Sequence, residues 1–260
     1  AAAACWKVPT KLVAFLGKDI FGEQLSTALQ EAGVDLSLVE RIEGASTGLA
    51  WIEVDPRGRN RIAVVPGANA LLNPQEAQAR LAPLAPGDLL LSQLEIRIST
   101  VEAAFSAAKG KGITTLLNAS PLAPLPDGIL AATDYLLVNR TEFLKLGGVA
   151  RFPRDLEEGS RKLARRGVQT LLVTAGALGV FLCTAGKPPT RVRAPRVAAV
   201  DTTGAGDIFA GCFAAELLRG KGLLEAATVA VKAASLSCTR PGALSSIPDP
   251  EEIVSLPERP

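Results

Sequence analysis

The chain has 260 residues, 48% of them apolar and 21% charged, and a net charge of +2 from 28 basic and 26 acidic side chains. That length suits one large α/β domain, and so even a charge balance leaves no basic face for nucleic acid or an anionic membrane. The complete lack of histidine removes the commonest metal ligand and the usual general base, which excludes histidine-liganded zinc hydrolases and Ser-His-Asp catalysis.

Cys5, Cys183, Cys212 and Cys238 are scattered without a C-x-x-C pair, and no secretory signal is visible within residues 1–260. They are expected to be reduced thiols of a cytoplasmic protein. No apolar run approaches the length of a bilayer span. The chain opens AAAACWKVP and contains no methionine, so it is expected to begin downstream of its natural first residue.

In chain order, Leu12–Gly17 is a short apolar run closed by glycine and predicts a buried strand. Asp19 then precedes Phe21, Leu25, Leu29 and Val34 at helical spacing, with a stop near Gly33. Thr47–Val54 and Arg61–Val65 flank the turn-rich DPRGRN and predict a hairpin. Strands follow at Asp88–Leu94, Thr114–Asn118, Tyr135–Asn139, Thr170–Thr174 and Val180–Thr184. Helical patterns lie between them, notably Thr100–Lys109 and Leu156–Arg166. The basic cluster Arg161-Lys162 and Arg165-Arg166 reads as the solvated face of the latter helix. This alternation predicts a three-layer α/β/α sandwich around a mostly parallel sheet. A strand at Val197–Asp201 is expected to feed a glycine-rich turn, followed by helices Ile208–Leu218 and Leu223–Cys238. The proline-rich stretches 121–126, 188–195 and 248–260 read as loops and a tail.

The segment with chemical content is Val200–Gly211, VDTTGAGDIFAG. Successive amides of Gly204, Ala205 and Gly206 can converge on one point without Cβ obstruction, and the helix start adds its unpaired N–H groups and positive dipole end. Asp207 lies in the first helical turn beside that anion site. A carboxylate there either complements the helix dipole or takes a proton from an attacking hydroxyl, a step worth roughly 10²–10⁴ in rate. For a generic G-x-G-D the structural alternative carries most weight. A specified seven-residue string such as DTTGAGD, however, arises by chance on the order of once in 10⁸ positions.

DTTGAGD followed by an apolar helix resembles the C-terminal signature of the ribokinase-like (PfkB) carbohydrate kinase family. The resemblance extends over essentially the whole chain, through STGLAWIEV (Ser46–Val54), VVPGANALL (Val64–Leu72), LSQLE (Leu91–Glu95), LLNASPLAPLP (Leu116–Pro126), VNRTE (Val138–Glu142), VTAGALG (Val173–Gly179) and TRPGALSSIP (Thr239–Pro248). It implies a single kinase domain over residues 1–260, with Asp207 as the base that deprotonates the acceptor hydroxyl. The amides of Gly204, Ala205 and Gly206 become the anion hole for the transferring phosphoryl group. Asn139 and Glu142 match an N-x-x-E motif that positions Mg²⁺ and the ATP phosphates through water. Alone, N-R-T-E is a helix-capping box. Thr174, Gly176 and Gly179 match a T-x-G-x-x-G stretch along ATP, although the same residues also suit a hairpin turn. Glu95 matches a sugar-binding carboxylate, against the plainer possibility of a surface residue at a strand end. Asp201, Thr203, Cys238, Gly242 and Ser246 match the main-chain cage of an activating monovalent cation, normally K⁺.

The same resemblance implies ATP-dependent phosphorylation of a sugar primary hydroxyl, D-ribose foremost, with fructose, 2-keto-3-deoxygluconate or a nucleoside as alternatives. The family's first strand with its sugar-binding Asp and its GGKGAN segment are not matched. The N-terminal part of the family fold is therefore expected to be absent, and the hairpin at about 47–65 to be the remnant of a small β lid. Members of the family often dimerise through such lids, so a homodimer is one arrangement the resemblance allows. Smaller departures are Arg140, where the family usually has Glu, and Ala175 inside T-x-G. A non-catalytic nucleotide-binding or regulatory protein of the same fold is the alternative from another class. A dinucleotide-dependent dehydrogenase is disfavoured, because no G-x-G-x-x-G follows the first strand.

Overall fold

The computed structural model describes residues 1–54 and 60–254. In chain order its elements are α1 (Ala2–Cys5), β1 (Ala14–Gly17), α2 (Ile20–Glu31), β2 (Val39–Ile42), β3 (Leu49–Val54), β4 (Asn60–Val65), α3 (Pro74–Arg80) and β5 (Leu89–Ser92). There follow α4 (Ile98–Gly110), β6 (Thr114–Asn118), α5 (Asp127–Ala131), β7 (Tyr135–Asn139), α6 (Arg140–Leu146), α7 (Leu156–Arg165), β8 (Thr170–Thr174) and β9 (Val180–Thr184). The chain closes with β10 (Thr190–Val192), α8 (Ala205–Leu218), α9 (Leu223–Ser237) and α10 (Pro250–Val254).

The central sheet has the order β10-β9-β8-β7-β6-β5. Strands β5 to β8 run parallel, β9 returns antiparallel to β8, and β10 pairs antiparallel to β9. Strand alternation divides the interior into two cores. Leu116, Leu137, Leu172 and Leu182 face one way and pack under Ile208, Phe209 and Phe213 of α8 and the alanines of α9. Leu117, Leu136, Val138, Leu171 and Val173 face the other way and meet Val101 and Phe105 of α4, Phe143 of α6 and Leu163 of α7. Helices thus cover both faces of the sheet, as the three-layer expectation requires. Gly211 lets α1 lie against α8, since a Cβ there would fall 2.6 Å from the Ala2 methyl.

Two small sheets stand apart. β1 and β2 form a parallel pair, and β3 and β4 form the expected antiparallel hairpin; residues 55–59, where the sequence predicts its turn, lie outside the described residues. A third, smaller core of Phe15, Ala68 and Leu72 holds this end together, with Val13, Ile42, Ala45 and Ile96 packed on it.

Three expectations are corrected. The 248–260 stretch is not all loop and tail, because Pro250–Val254 forms α10. Residues 197–201 form no strand, because the amides of Val200 and Asp201 both donate to the Cys238 carbonyl at 2.7 and 3.1 Å, which takes them out of any ladder. The 188–195 stretch is not all loop, because Thr190–Val192 pairs with β9. The solvated face of α7 is as expected, with Leu156, Gly159 and Leu163 turned inward.

Candidate active site

In a parallel sheet the carboxyl ends of the strands share one rim, where α/β proteins bind ligands. The sequence candidates from the first two-thirds of the chain lie there. Glu95 follows the end of β5, Asn139 ends β7 and Thr174 ends β8; the last two sit opposite one another in register. Glu95 is exposed, and its carboxylate accepts a hydrogen bond from the Gln93 side-chain amide at 3.1 Å.

Asn139 and Glu142 are locked as a reciprocal cap on α6. Asn139 Oδ1 accepts the Glu142 amide at 2.9 Å, and Glu142 Oε2 accepts the Asn139 amide at 2.7 Å. Both N-terminal donors are thereby satisfied. Glu142 is buried while Asn139 is exposed at the rim. Glu142 Oε1 receives no hydrogen bond among the described residues.

Thr174, Gly176 and Gly179 form the β8–β9 connection, so the hairpin alternative for this stretch is realised. Thr174 Oγ1 donates to the Val138 carbonyl at 3.3 Å, and the Ala175 amide bonds the Gly179 carbonyl at 2.8 Å. Gly179 has φ +90°, and a Cβ there would lie 2.0 Å from the Val192 carbonyl oxygen, so β10 can pass only over glycine.

The late loop is built around α8. Gly204 is the N-cap in left-handed conformation, φ +73°, and no side chain caps the helix. The Ala205 amide turns back to the Thr202 carbonyl at 3.3 Å, and the Ile208 amide opens the helical ladder on Gly204 at 2.9 Å. The amides of Gly206 and Asp207 between them have no acceptor among the described residues. Two free N–H groups at the mouth of a 14-residue helix are the donors an oxyanion needs. Gly206 is exposed, and a Cβ there would meet nothing within 4 Å.

Asp207 lies in the first turn of α8, accessible to solvent yet flanked by enough protein that desolvation raises its carboxyl above the ordinary aspartate range. Its accessibility limits the size of that effect and leaves the direction intact. A solvent-reachable carboxylate with a raised proton affinity, one residue from free amides, suits a general base.

Asp201, Thr203, Cys238, Gly242 and Ser246 come together behind this helix mouth. Asp201 Oδ1 accepts the Thr203 amide and hydroxyl at 2.9 and 2.7 Å, and Oδ2 accepts the Gly242 amide at 2.9 Å. The buried Ser246 hydroxyl donates to the Ala243 carbonyl. The carbonyls of Thr203, Gly242 and Ser246 receive no backbone amide among the described residues, whereas that of Cys238 already receives two. The described residues contain no cluster of three or more acidic or cysteine side chains that could hold a metal by themselves.

Sequence reading passed over Asn118. It ends β6, between the ends of β5 and β7, is 9% exposed, and its side-chain amide bonds no described residue. An asparagine closing an apolar strand was the available signal.

The pfkB family carbohydrate kinase model matches residues 1–250, and the chain belongs to that family. It is 34% identical to the ribokinase of Haemophilus influenzae over 258 residues, which is 99% of this chain and 84% of that protein. It is 33% identical to the deoxyribokinase of Salmonella typhi, over 96% of this chain and 83% of that one. Among solved structures, that of Arabidopsis thaliana ribokinase complexed with ribose and ATP superposes with a TM-score of 0.89 at 30% identity, covering 97% of this chain and 83% of that one.

Proposed function

We propose that this carbohydrate kinase transfers the γ-phosphoryl group of ATP to the primary hydroxyl of a pentose, D-ribose giving D-ribose 5-phosphate. The observation that carries the reading is the pair of free amides at Gly206 and Asp207 beside the Asp207 carboxylate. Asp207 takes the hydroxyl proton as the oxygen attacks phosphorus. The amides of Gly206 and Asp207 receive the negative charge of the transferring group, and the Ala205 amide expected from the sequence joins them only if it releases the Thr202 carbonyl. Thr174, Gly176 and Gly179 line the nucleotide, and Glu95 binds the sugar from the β5 side of the rim. Family resemblance to both ribokinases and a deoxyribokinase supports a pentose and leaves its 2-position to be tested.

Asn139 and Glu142 fit a magnesium site of the water-mediated kind. One oxygen of each is committed to the α6 cap, so Glu142 Oε1 is left to order a hydrated ion. Bound Mg²⁺ would neutralise phosphate charge. For a monovalent cation, the open carbonyls of Thr203, Gly242 and Ser246 fit a K⁺ cage. The Cys238 carbonyl joins it only if Val200 or Asp201 releases it. Among the described residues, no helix is long and apolar enough to cross a membrane. A cytoplasmic site of action agrees with the reduced thiols. The exposed apolar hairpin, Trp51 foremost, suits pairing with a second copy.

The test is ADP release by the full-length protein with ATP, Mg²⁺ and either D-ribose or 2-deoxy-D-ribose, with and without K⁺. Sugar-dependent turnover stimulated by K⁺ is expected. Nucleotide binding without turnover on any sugar would instead favour a regulatory protein of the same fold.

A further inference from the structure

We infer that Asp19 is a positioning residue: through Thr47 it fixes the β3–β4 arm relative to the sugar carboxylate Glu95. The inference rests on the kinase reading above.

Among the described residues β3 and β4 pair only with each other, and Leu49, Trp51, Val64 and Val65 upon them are exposed, so within these residues the two feet are what tie the arm to the sugar side of the rim. At the first foot, Asp19 Oδ2 accepts the Thr47 amide at 2.7 Å. Asp19 Oδ1 accepts the Thr47 hydroxyl at 2.6 Å and the Gly22 amide at 2.8 Å. Thr47 Oγ1 accepts the Gly17 amide in turn at 3.0 Å, and Thr47 is buried. One carboxylate therefore joins the end of β1, the start of α2 and the entry to β3.

The second foot is clamped to the first. The Ala68 amide donates to the Ser46 carbonyl at 2.8 Å, and a Cβ on Gly67 would fall 2.4 Å from that same oxygen. Ala68 then enters the small core with Phe15 and Leu72, on which Ile96 packs, one residue beyond Glu95. The arm's feet and the sugar carboxylate thus share one packed unit, and rigid packing transmits a shift at Thr47 to the distance between arm and Glu95.

Capping α2 is a smaller task that uses only the bond to Gly22. A cap stabilises the fold without distinguishing the two substrates. The bonds to Thr47 predict such a distinction, because the arm stands at the β1 end of the molecule while the nucleotide residues lie on β8 and α8.

The experiment uses Asp19→Asn, Thr47→Val and Thr47→Ser in the full-length protein. Asparagine would present an N–H₂ group where Thr47 donates, and valine removes the hydroxyl, whereas serine keeps it. The expected result is a KM for ribose raised at least fivefold by Asp19→Asn and Thr47→Val, a KM for ATP within twofold, and near-normal behaviour of Thr47→Ser. Amide hydrogen exchange at Thr47 and Ala68 should accelerate at least tenfold in the first two variants while β6 to β8 stay unchanged. Equal rises in both KM values, or unchanged exchange at these feet, overturns the positioning role. Lack of sugar-dependent ADP release by the unaltered protein would count against the kinase reading instead, and the exchange measurement still decides whether Asp19 holds the arm.

Discussion

The Asp201 carboxylate reaches across 41 positions to accept the Gly242 amide at 2.9 Å, tying the loop that enters α8 to the loop that leaves α9. The same carboxylate accepts the Thr203 hydroxyl and amide. These bonds, the Thr203 hydroxyl first and then the Gly242 and Thr203 amides, hold it below the usual carboxylate range. A depressed acid contributes stability that is complete above its unfolded pKa, about 3.9, and is lost as pH falls through the lower folded value. Asp19 and Asp155 are depressed in the same direction, and Asp35 to about 2. Melting temperature is therefore expected to fall on acidification below about pH 4. Asp201→Asn should lose less over that interval than the unaltered protein, as read by calorimetry across pH. An identical acid slope in the two proteins would remove Asp201 from this account.

Asp207 shifts the other way, and the sign of its contribution reverses. Desolvation raises its carboxyl, so the folded protein binds the proton more readily than the unfolded chain, and the charged form costs stability at neutral pH. Asp207→Asn is therefore expected to melt no lower than the unaltered protein at pH 7 while kcat falls at least ~100-fold and ATP binding is kept. Carboxyl NMR of the free protein should place the Asp207 midpoint above about 3.9. A drop in kcat below ~10-fold would refute the base assignment.

The two glycines of the turn are expected to fail in different ways when changed to alanine. Gly204 has φ +73°, and its Cβ would press to 3.0 Å from the Ala243 methyl, so Gly204→Ala should cost about 1–2 kcal/mol of stability from backbone conformation alone. Gly206 has ordinary helical backbone and open space where a Cβ would go. Gly206→Ala should leave Tm within a degree or two and lower kcat at least ~10-fold, since a methyl there stands where a phosphoryl group would approach its amides. Full activity in Gly206→Ala would place the phosphoryl group elsewhere.

How much of this was legible in the sequence depended on whether the deciding contacts were local. Strands β6 to β9 match their apolar runs residue for residue, because each is bounded by turn residues and buried on both faces. β2 was missed because VERI carries charge at its centre: Glu40 pairs with Arg80, and Arg41 reaches Ser26 and the Gly17 carbonyl. The expected strand at 197–201 failed for a long-range reason, the capture of two amides by Cys238. The site divides in the same manner. Asp207 and its glycines are contiguous, so the string itself displays the helix mouth. The bonds from Asp201 to Gly242 and from Asp19 to Thr47 join residues that no spacing rule connects.

Glu142 offers the sharpest separation between a structural and a chemical role, because it performs the first visibly. Its Oε2 caps the Asn139 amide at 2.7 Å from a buried position, and an amide oxygen can accept that bond almost as well as a carboxylate. Glu142→Gln should therefore keep most of the capping and lower Tm only slightly. It also removes the one full negative charge that the N-x-x-E pair offers to a hydrated cation. If that charge orders magnesium, the Mg²⁺ concentration for half-maximal activity should rise on the order of tenfold or more, within the 10–100-fold cost usual for losing an outer-shell partner of a metal. Glu142→Ala, which abolishes both functions, should add a stability loss of about 1 kcal/mol to the same magnesium defect. A glutamine variant with unchanged magnesium dependence would leave Glu142 as a helix cap alone and move the cation's protein contacts to other residues of the rim.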